Sequence, residues 1–291
     1  MSSRFKHPRQ IPLETPDNSS DSSDSENEEG KEIQVEFEAR SPEGEDFHGI
    51  KRLLQQLFLR SSVVDCSKLT DSILAQRGIG SVIKQSIPEE LEGDDITDDP
   101  NEVYAISTVV NLAEKTKESI SSLRRFILEQ TAKGNDRQVL QYVTDLLKGS
   151  VGFLINERFI NIPAQITVPL LETLVTEMRK ARDRNLPYDF QHYIMISKLY
   201  KTRNLTTGVN GATTETQAVV FSNPEEELIV GESELCIDYD VSSESNNDVG
   251  GNWTDGVEMI PWRRIVVFRA EKLDGLIRSV RESFPTSSIS S

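Results

Sequence analysis

Cysteine is nearly missing from this chain. Cys66 and Cys236 lie far apart and supply neither a disulfide framework nor a CxxC motif, so a reducing compartment fits. Histidine is as scarce: His7, His48 and His192 are scattered without HxxxH spacing, which leaves a structural zinc or a catalytic metal without a ligand set. No GxSxG elbow exists for His192 to serve as a base, so nucleophilic hydrolysis lacks its first group. No run approaches the roughly 20 apolar residues that span a bilayer. The opening MSSRFKHPRQIPLE carries no apolar segment resembling a signal peptide. The expectation is a soluble, intracellular protein with no membrane partner.

Bases are short relative to acids. Against 48 Asp and Glu stand 32 Lys and Arg, a formal charge of −16 and a pI near 4.7. Direct binding of nucleic acid is disfavoured, because its electrostatic term would be repulsive over most of the surface. A basic partner is favoured, and acidity that only confers solubility is the alternative. The sharpest deficit runs from Asn204 to Trp262: 59 positions hold no Lys, Arg or His and twelve acids. A one-signed field repels itself, and physiological salt hides it only beyond roughly 8 Å.

Within that region, ELIVGESELCIDYDV alternates so that Glu232, Glu234, Asp238 and Asp240 share one parity of a strand. With Glu225, Glu226 and Glu227 just before them, they form the candidate partner-binding row, open to water and suited to a client rich in Lys and Arg. Trp253, beside Gly250 and Gly251, is either an apolar anchor in that rim or a buried turn aromatic. Plain solvation and a cation site are the competing readings of the row.

Residues 1–30 are serine-rich and acidic, too poor in apolar residues to offset chain entropy, and read as a disordered tail. Ser23 and Ser25 each precede an acid by three positions, Glu26 and Glu28, a pattern suited to acid-directed kinases; a plain solvating tail is the alternative. Residues 31–284 read as one α/β domain and 285–291 as a polar tail. Strands are expected from Ile33 to Ala39, at SVIKQS, VYAISTVVNL and VGFLI, and at HYIMISKLY, TQAVVF, ELIVGESELCIDYDV and RRIVVF. Helical spacing appears after a plausible cap at Asp46, then through Leu69 to Leu74, Ile120 to Ile127 and Val139 to Leu147. It recurs from about Thr167, where Pro169 sits near a helix start, and through Leu273 to Val280. The Thr/Gly-rich TTGVNGATTETQ is a hairpin loop or a boundary.

Three further motifs invite chemistry. Asn156, Glu157, Arg158 and Asn161 stand where a strand hands over to a helix, a place where α/β enzymes act. The structural account is a solvent-edge Glu157–Arg158 pair and an Asn161 cap. Gly78 and Gly80 suggest a phosphate cradle, but a helix precedes them and a strand follows, the reverse of that motif, so a helix stop is expected. Asp94, Asp95, Asp98 and Asp99 lack the spacing of an EF-hand loop.

The strings GIGSVIKQ (78–85), NERFINIPAQ (156–165), NPEEELIV (223–230) and GGNW (250–253) resemble the BCCIP family, whose fungal members are BCP-type nuclear chaperones. The resemblance spans about residues 31–284. It implies a mixed twisted β-sheet with helices on both faces, like the GCN5-related acetyltransferase (GNAT) fold. It implies no enzymatic activity: where those enzymes place Gln or Arg in their acetyl-CoA loop, this chain has Ala75 ahead of Gly78 and Gly80. It further implies a nuclear adaptor with some cytoplasmic pool, no cofactor, and roles in ribosome biogenesis and nuclear export. The implied clients are a basic large-subunit ribosomal protein of the universal L-fourteen type and a phosphatidylinositol phosphate kinase. Animal relatives add a recombination mediator and a cyclin-dependent-kinase inhibitor, which frame the alternative of a cell-cycle and DNA-repair scaffold.

Overall fold

The strand Val151–Arg158 is buried along its whole length, as its apolar residues on both parities require of a strand covered on two faces. The computed structural model describes residues 4–7, 35–59, 61–86, 102–207, 213–243 and 258–285. Among the described residues nine strands, β1 (Arg4–His7), β2 (Val35–Arg40), β3 (Ser81–Ser86), β4 (Ala105–Asn111), β5 (Val151–Arg158), β6 (His192–Thr207), β7 (Thr213–Phe221), β8 (Leu235–Asp240) and β9 (Glu258–Arg269), form one sheet. Their order is β1-β2-β3-β4-β5-β6-β9-β8, with β7 also on β6. Every pairing is antiparallel except β5 with β6.

Helices cover both faces. On one lie α1 (Phe47–Phe58), α2 (Cys66–Leu74), α3 (Glu118–Lys133) and α4 (Arg137–Leu146), whose apolar stripes bury Leu54, Ile73, Ile127 and Val143 against Phe153, Ile194 and Ile265 of the sheet. On the other lie α5 (Thr167–Asp183), the short α6 (Glu226–Gly231) and α7 (Leu273–Ser283), packed through Leu174, Ile229 and Ile277 on Leu154, Met195 and Val266. Pro169 falls in the first turn of α5, where its missing N–H is no loss. The Thr/Gly-rich stretch joins β6 to β7, which pair across it as a hairpin.

Three local expectations are corrected. Asp46 does not cap α1 with its side chain; buried after a single 3-10 turn, it turns back to accept the Glu43 N–H at 2.8 Å and two bonds from Arg40, both at 2.8 Å. That ties the end of β2 to the start of α1. The stretch ELIVGESELCIDYDV is not one strand. Its first part is α6, which begins after Pro224 without a side-chain cap and ends at Gly231; the buried Asn223 amide donates to the Glu226 carboxyl at 2.8 Å across the turn that leads into it.

The glycines are not what stops α2: the helix ends at Leu74 with Ala75 as its C-cap, and Gly78 and Gly80, both at positive φ, turn the chain into β3. Gly80 has φ +100, a Cβ there would lie 2.5 Å from Thr108, and its N–H donates to the Glu177 carboxylate of α5 at 2.7 Å. Strain and overpacking therefore add at this position. Gly80→Ala is expected to destabilise the protein by about 2–4 kcal/mol, read as a lowered urea midpoint with unchanged slope.

Candidate functional site

The parallel contact of β5 and β6 lasts three pairs, Val151↔His192 to Phe153↔Ile194. Beyond it the strands diverge, β5 staying with β4 to Arg158↔Ala105 and β6 with β9. From Leu199 outward β7 takes the vacated edge of β6, and its continuation fills the wedge: the Ser222 N–H donates to the Lys198 carbonyl at 2.9 Å. Glu225 and Glu226, both 0% exposed, follow immediately.

Each buried charge in the wedge is matched. Arg158 holds Glu225 through two bonds, 2.8 and 3.2 Å, and donates a third to the Ile162 carbonyl at 2.6 Å. The Thr167 hydroxyl, at the start of α5, donates to the same carboxylate at 2.9 Å. Glu157 lies 2.5 Å from the Lys198 ammonium. Arg263 donates to the carbonyls of Gln56 and Leu57 at 2.8 and 3.1 Å, capping the C-terminal end of α1. Glu226 has no cation of its own. Burial above all, and then the neighbouring Glu157, push its pKa up to about 8, so that it holds a proton at neutral pH. The Glu157–Arg158 solvent-edge pair is thereby corrected: each turns inward to a different partner. Asn161 is exposed and caps nothing, since neither turn that follows has a side-chain cap.

The expected open row of carboxylates is corrected in the same way. Glu225 and Glu226 are interior. Glu232 and Glu234 lie in the turn between α6 and β8 rather than on a strand, bound to Lys272 at 2.9 Å and to Arg269 at 2.5 Å. Asp238 of β8 is half-buried against Arg264 at 2.5 Å and Lys201 at 3.0 Å. Burial opposes its ionisation, but the hydrogen bonds from those two bases outweigh it and hold its carboxyl below the usual range. The bond from Arg269 does the same for Glu234. Only Glu227 and Asp240 of the row are exposed without a basic partner among the described residues. The compensating cations come from β5, β6, β9 and the turn before α7, all outside the base-free region. Trp253, Ser23, Ser25 and the four aspartates from Asp94 to Asp99 lie outside the described residues. Among the described residues no group of three or more His, Cys, Asp or Glu stands close enough to hold a metal, and no helix is long and apolar enough to cross a membrane.

With those acids satisfied internally, the net charge must reside elsewhere. The described residues hold 30 acids and 29 bases, so they are almost neutral. The excess falls in three connecting segments: 8–34 with eight acids and two bases, 87–101 with seven acids and no base, and 244–257 with three acids and no base. Strands β1, β3, β5, β6 and β8 run one way, and β2, β4, β7 and β9 the other. All three segments therefore join strands at the same end of the sheet, the carboxyl end of β5. At that end too lies Ile160, 81% exposed just past β5.

A family model, BCCIP, matches residues 32–229. The chain belongs to the BCCIP family. The BCCIP homolog of Drosophila melanogaster is 37% identical over 260 residues, covering 86% of this chain and 84% of that protein. The BRCA2 and CDKN1A-interacting protein of Homo sapiens is 32% identical over 263 residues, 87% and 82% of the two chains. Protein bcp1 of Schizosaccharomyces pombe is 30% identical over 266 residues, 87% and 90%. The crystal structure of BCP1 from Saccharomyces cerevisiae shares the fold, with a TM-score of 0.57 at 18% identity over 89% of this chain and 93% of that one. The family strings NERFINIPAQ and NPEEELIV thus carry the two halves of the wedge, Glu157 and Arg158 on one side and Asn223 to Glu226 on the other.

Two outcomes test the wedge. Arg158→Ala strands the buried Glu225 charge and is expected to cost about 3–5 kcal/mol in denaturant unfolding. Glu226 binds its proton more tightly folded than unfolded, so its contribution is full below its ordinary pKa of 4.5 and is lost as pH rises through about 8. Glu226→Gln keeps the Asn223 bond without ionising. Its unfolding free energy should match the wild type in mild acid and exceed it by about 1–3 kcal/mol above pH 8.

Proposed function

We propose that the protein is a non-enzymatic nuclear adaptor and chaperone that shields a basic protein client at the acidic end of its sheet. The client that suits this reading best is a large-subunit ribosomal protein of the universal L-fourteen type, whose Lys and Arg, meant for RNA, need cover before assembly. The observation that carries the reading is the segregation of charge: a nearly neutral folded scaffold with three acidic connections attached at one end. Acidic segments raise the rate of encounter with a cationic client and fix its orientation, while apolar and main-chain contacts supply lasting affinity. Roles in nuclear export, escort of a phosphatidylinositol phosphate kinase and a partly cytoplasmic pool belong to the same reading, on the strength of the family resemblance.

The name of the human relative, an interactor of BRCA2 and CDKN1A, favours a second reading as a cell-cycle and DNA-repair scaffold. The two are compatible, since both require a protein-binding surface. The mixed sheet supports a GNAT-like reading of the fold, but acyl transfer is disfavoured on it. The Gly80 amide, which a phosphate-cradling loop would aim at a ligand, is committed to Glu177.

The test is calorimetric titration of the ribosomal client into a variant with Glu89, Glu90, Glu92, Asp94, Asp95, Asp98 and Asp99 replaced by Gln and Asn. Affinity should fall at least about tenfold at physiological salt, the salt dependence should flatten, and thermal stability should stay within a degree or so of the wild type. Unchanged affinity rejects the electrostatic account of client binding.

A further inference from the structure

Strand β7 has one partner. Its nine registered pairs with β6, from Leu199↔Phe221 to Thr207↔Thr213, use one side of the strand, and no strand lies on its other side among the described residues. An open edge is a template for another chain, and proteins usually blunt it with Lys, Pro, a bulge or a short length. The sequence TTETQAVVF has neither Lys nor Pro, its register with β6 is continuous, and it is nine residues long. Ala218, Val219 and Val220 are all exposed, the valines at 43% and 42%. Successive strand residues point to opposite faces, so from Ala218 to Val220 the strand is exposed on both faces.

The occupant follows from charge. From Asn204 to Trp262 the chain holds no basic residue, so a cation brought beside β7 meets no repulsion from the hairpin's outer arm or its turn. The β6–β7 turn also leaves the sheet at the end where the acidic segments attach. We propose that the free edge of β7 takes an extended segment of a basic protein client as an added β-strand. Main-chain hydrogen bonds pair the segment with β7, and β-branched or apolar residues on it cover Val219 and Val220. This deepens the client-binding reading above and rests on it.

The experiment follows backbone amide hydrogen exchange with and without the ribosomal client, in the wild-type chain and in the double variant Val219→Lys, Val220→Lys. Both valines are exposed, and although Val219 stands opposite Lys201 in the register, the like-charge pair should cost no more than about 1 kcal/mol, so the variant should fold. Client binding should slow exchange of the β7 amides that point away from β6 and leave those of β8, the sheet's far edge, unaffected; the variant should bind at least about tenfold more weakly. Several results overturn the proposal. In one, the client binds with its charge-dependent affinity but β7 exchange is unchanged and the variant binds normally; the adaptor reading then survives without the edge. In another, the β7 amides that point away from β6 are already protected in the monomer without client, which assigns the edge to the chain's own segments. In a third, sedimentation shows a dimer that the lysines dissociate, which assigns it to a second copy. Loss of all client binding to the wild type would instead remove the adaptor reading itself.

Discussion

The bidentate pairing of Arg158 with Glu225 is the contact on which the centre of this molecule depends. Two parallel strands part after three residue pairs, and a diverging sheet exposes main chain and side chains that must be satisfied. Apolar filling alone would bury that space without fixing what enters it. Here the filler is a charged turn, and a buried charge tolerates few positions, because stranding it costs several kcal/mol. Arg158 also holds the Ile162 carbonyl, and Glu225 also receives the Thr167 hydroxyl, so one ion pair sets the exit of β5, the entry of α5 and the entry of α6. On the opposite face Arg263 joins β9 to the end of α1. The wedge is therefore a junction of both helical layers with the sheet.

A second consequence is electrostatic. Four carboxylates of the base-free region, Glu225, Glu232, Glu234 and Asp238, are paired with cations of the scaffold itself, and the described residues as a whole are nearly neutral. The remaining negative charge falls in connections that join strands at one end of the sheet. Such an arrangement lets a chain carry a high negative charge without destabilising its packing, and it gives the field a direction, which dispersed surface acids would not.

Much of the fold is legible in the sequence because its elements obey one periodicity each. SVIKQS is β3 to the residue, VGFLI reads as a central strand, and the stripes of α1, α3, α5 and α7 fall where their apolar spacing places them. The misreadings share a cause. Leu228, Ile229 and Val230 in a row look like a strand, and only the Asn-Pro-Glu-Glu start and Gly231 mark the six-residue helix. The acids from Glu225 to Asp238 look open because their partners, Arg158, Lys201, Arg264 and Arg269, stand on other strands, tens of residues away. Parity reports which face a residue takes; it does not report what the neighbouring strand places opposite. The absence of bases between Asn204 and Trp262 was itself the legible trace of that pairing: a region with so many acids and no cations needs compensation, and the neighbouring strands of the same sheet supply it.

The wedge and the edge of β7 are parts of one device. Only Ser222 separates the last residue of β7 from Asn223, where the buried turn begins, and the Ser222 amide is fixed to Lys198, whose ammonium is held by Glu157. The base of β7 is thus anchored at both its partner strand and its exit, next to the most constrained charges in the protein. An edge held in this way needs little ordering when a strand is added to it, and ordering is a principal cost of peptide recognition. In the proposed reading the acidic connections would act at longer range and without geometry, and the edge at contact and with it. Long-range attraction would then govern how fast a cationic client arrives, and a pre-formed row of main-chain groups how long it stays.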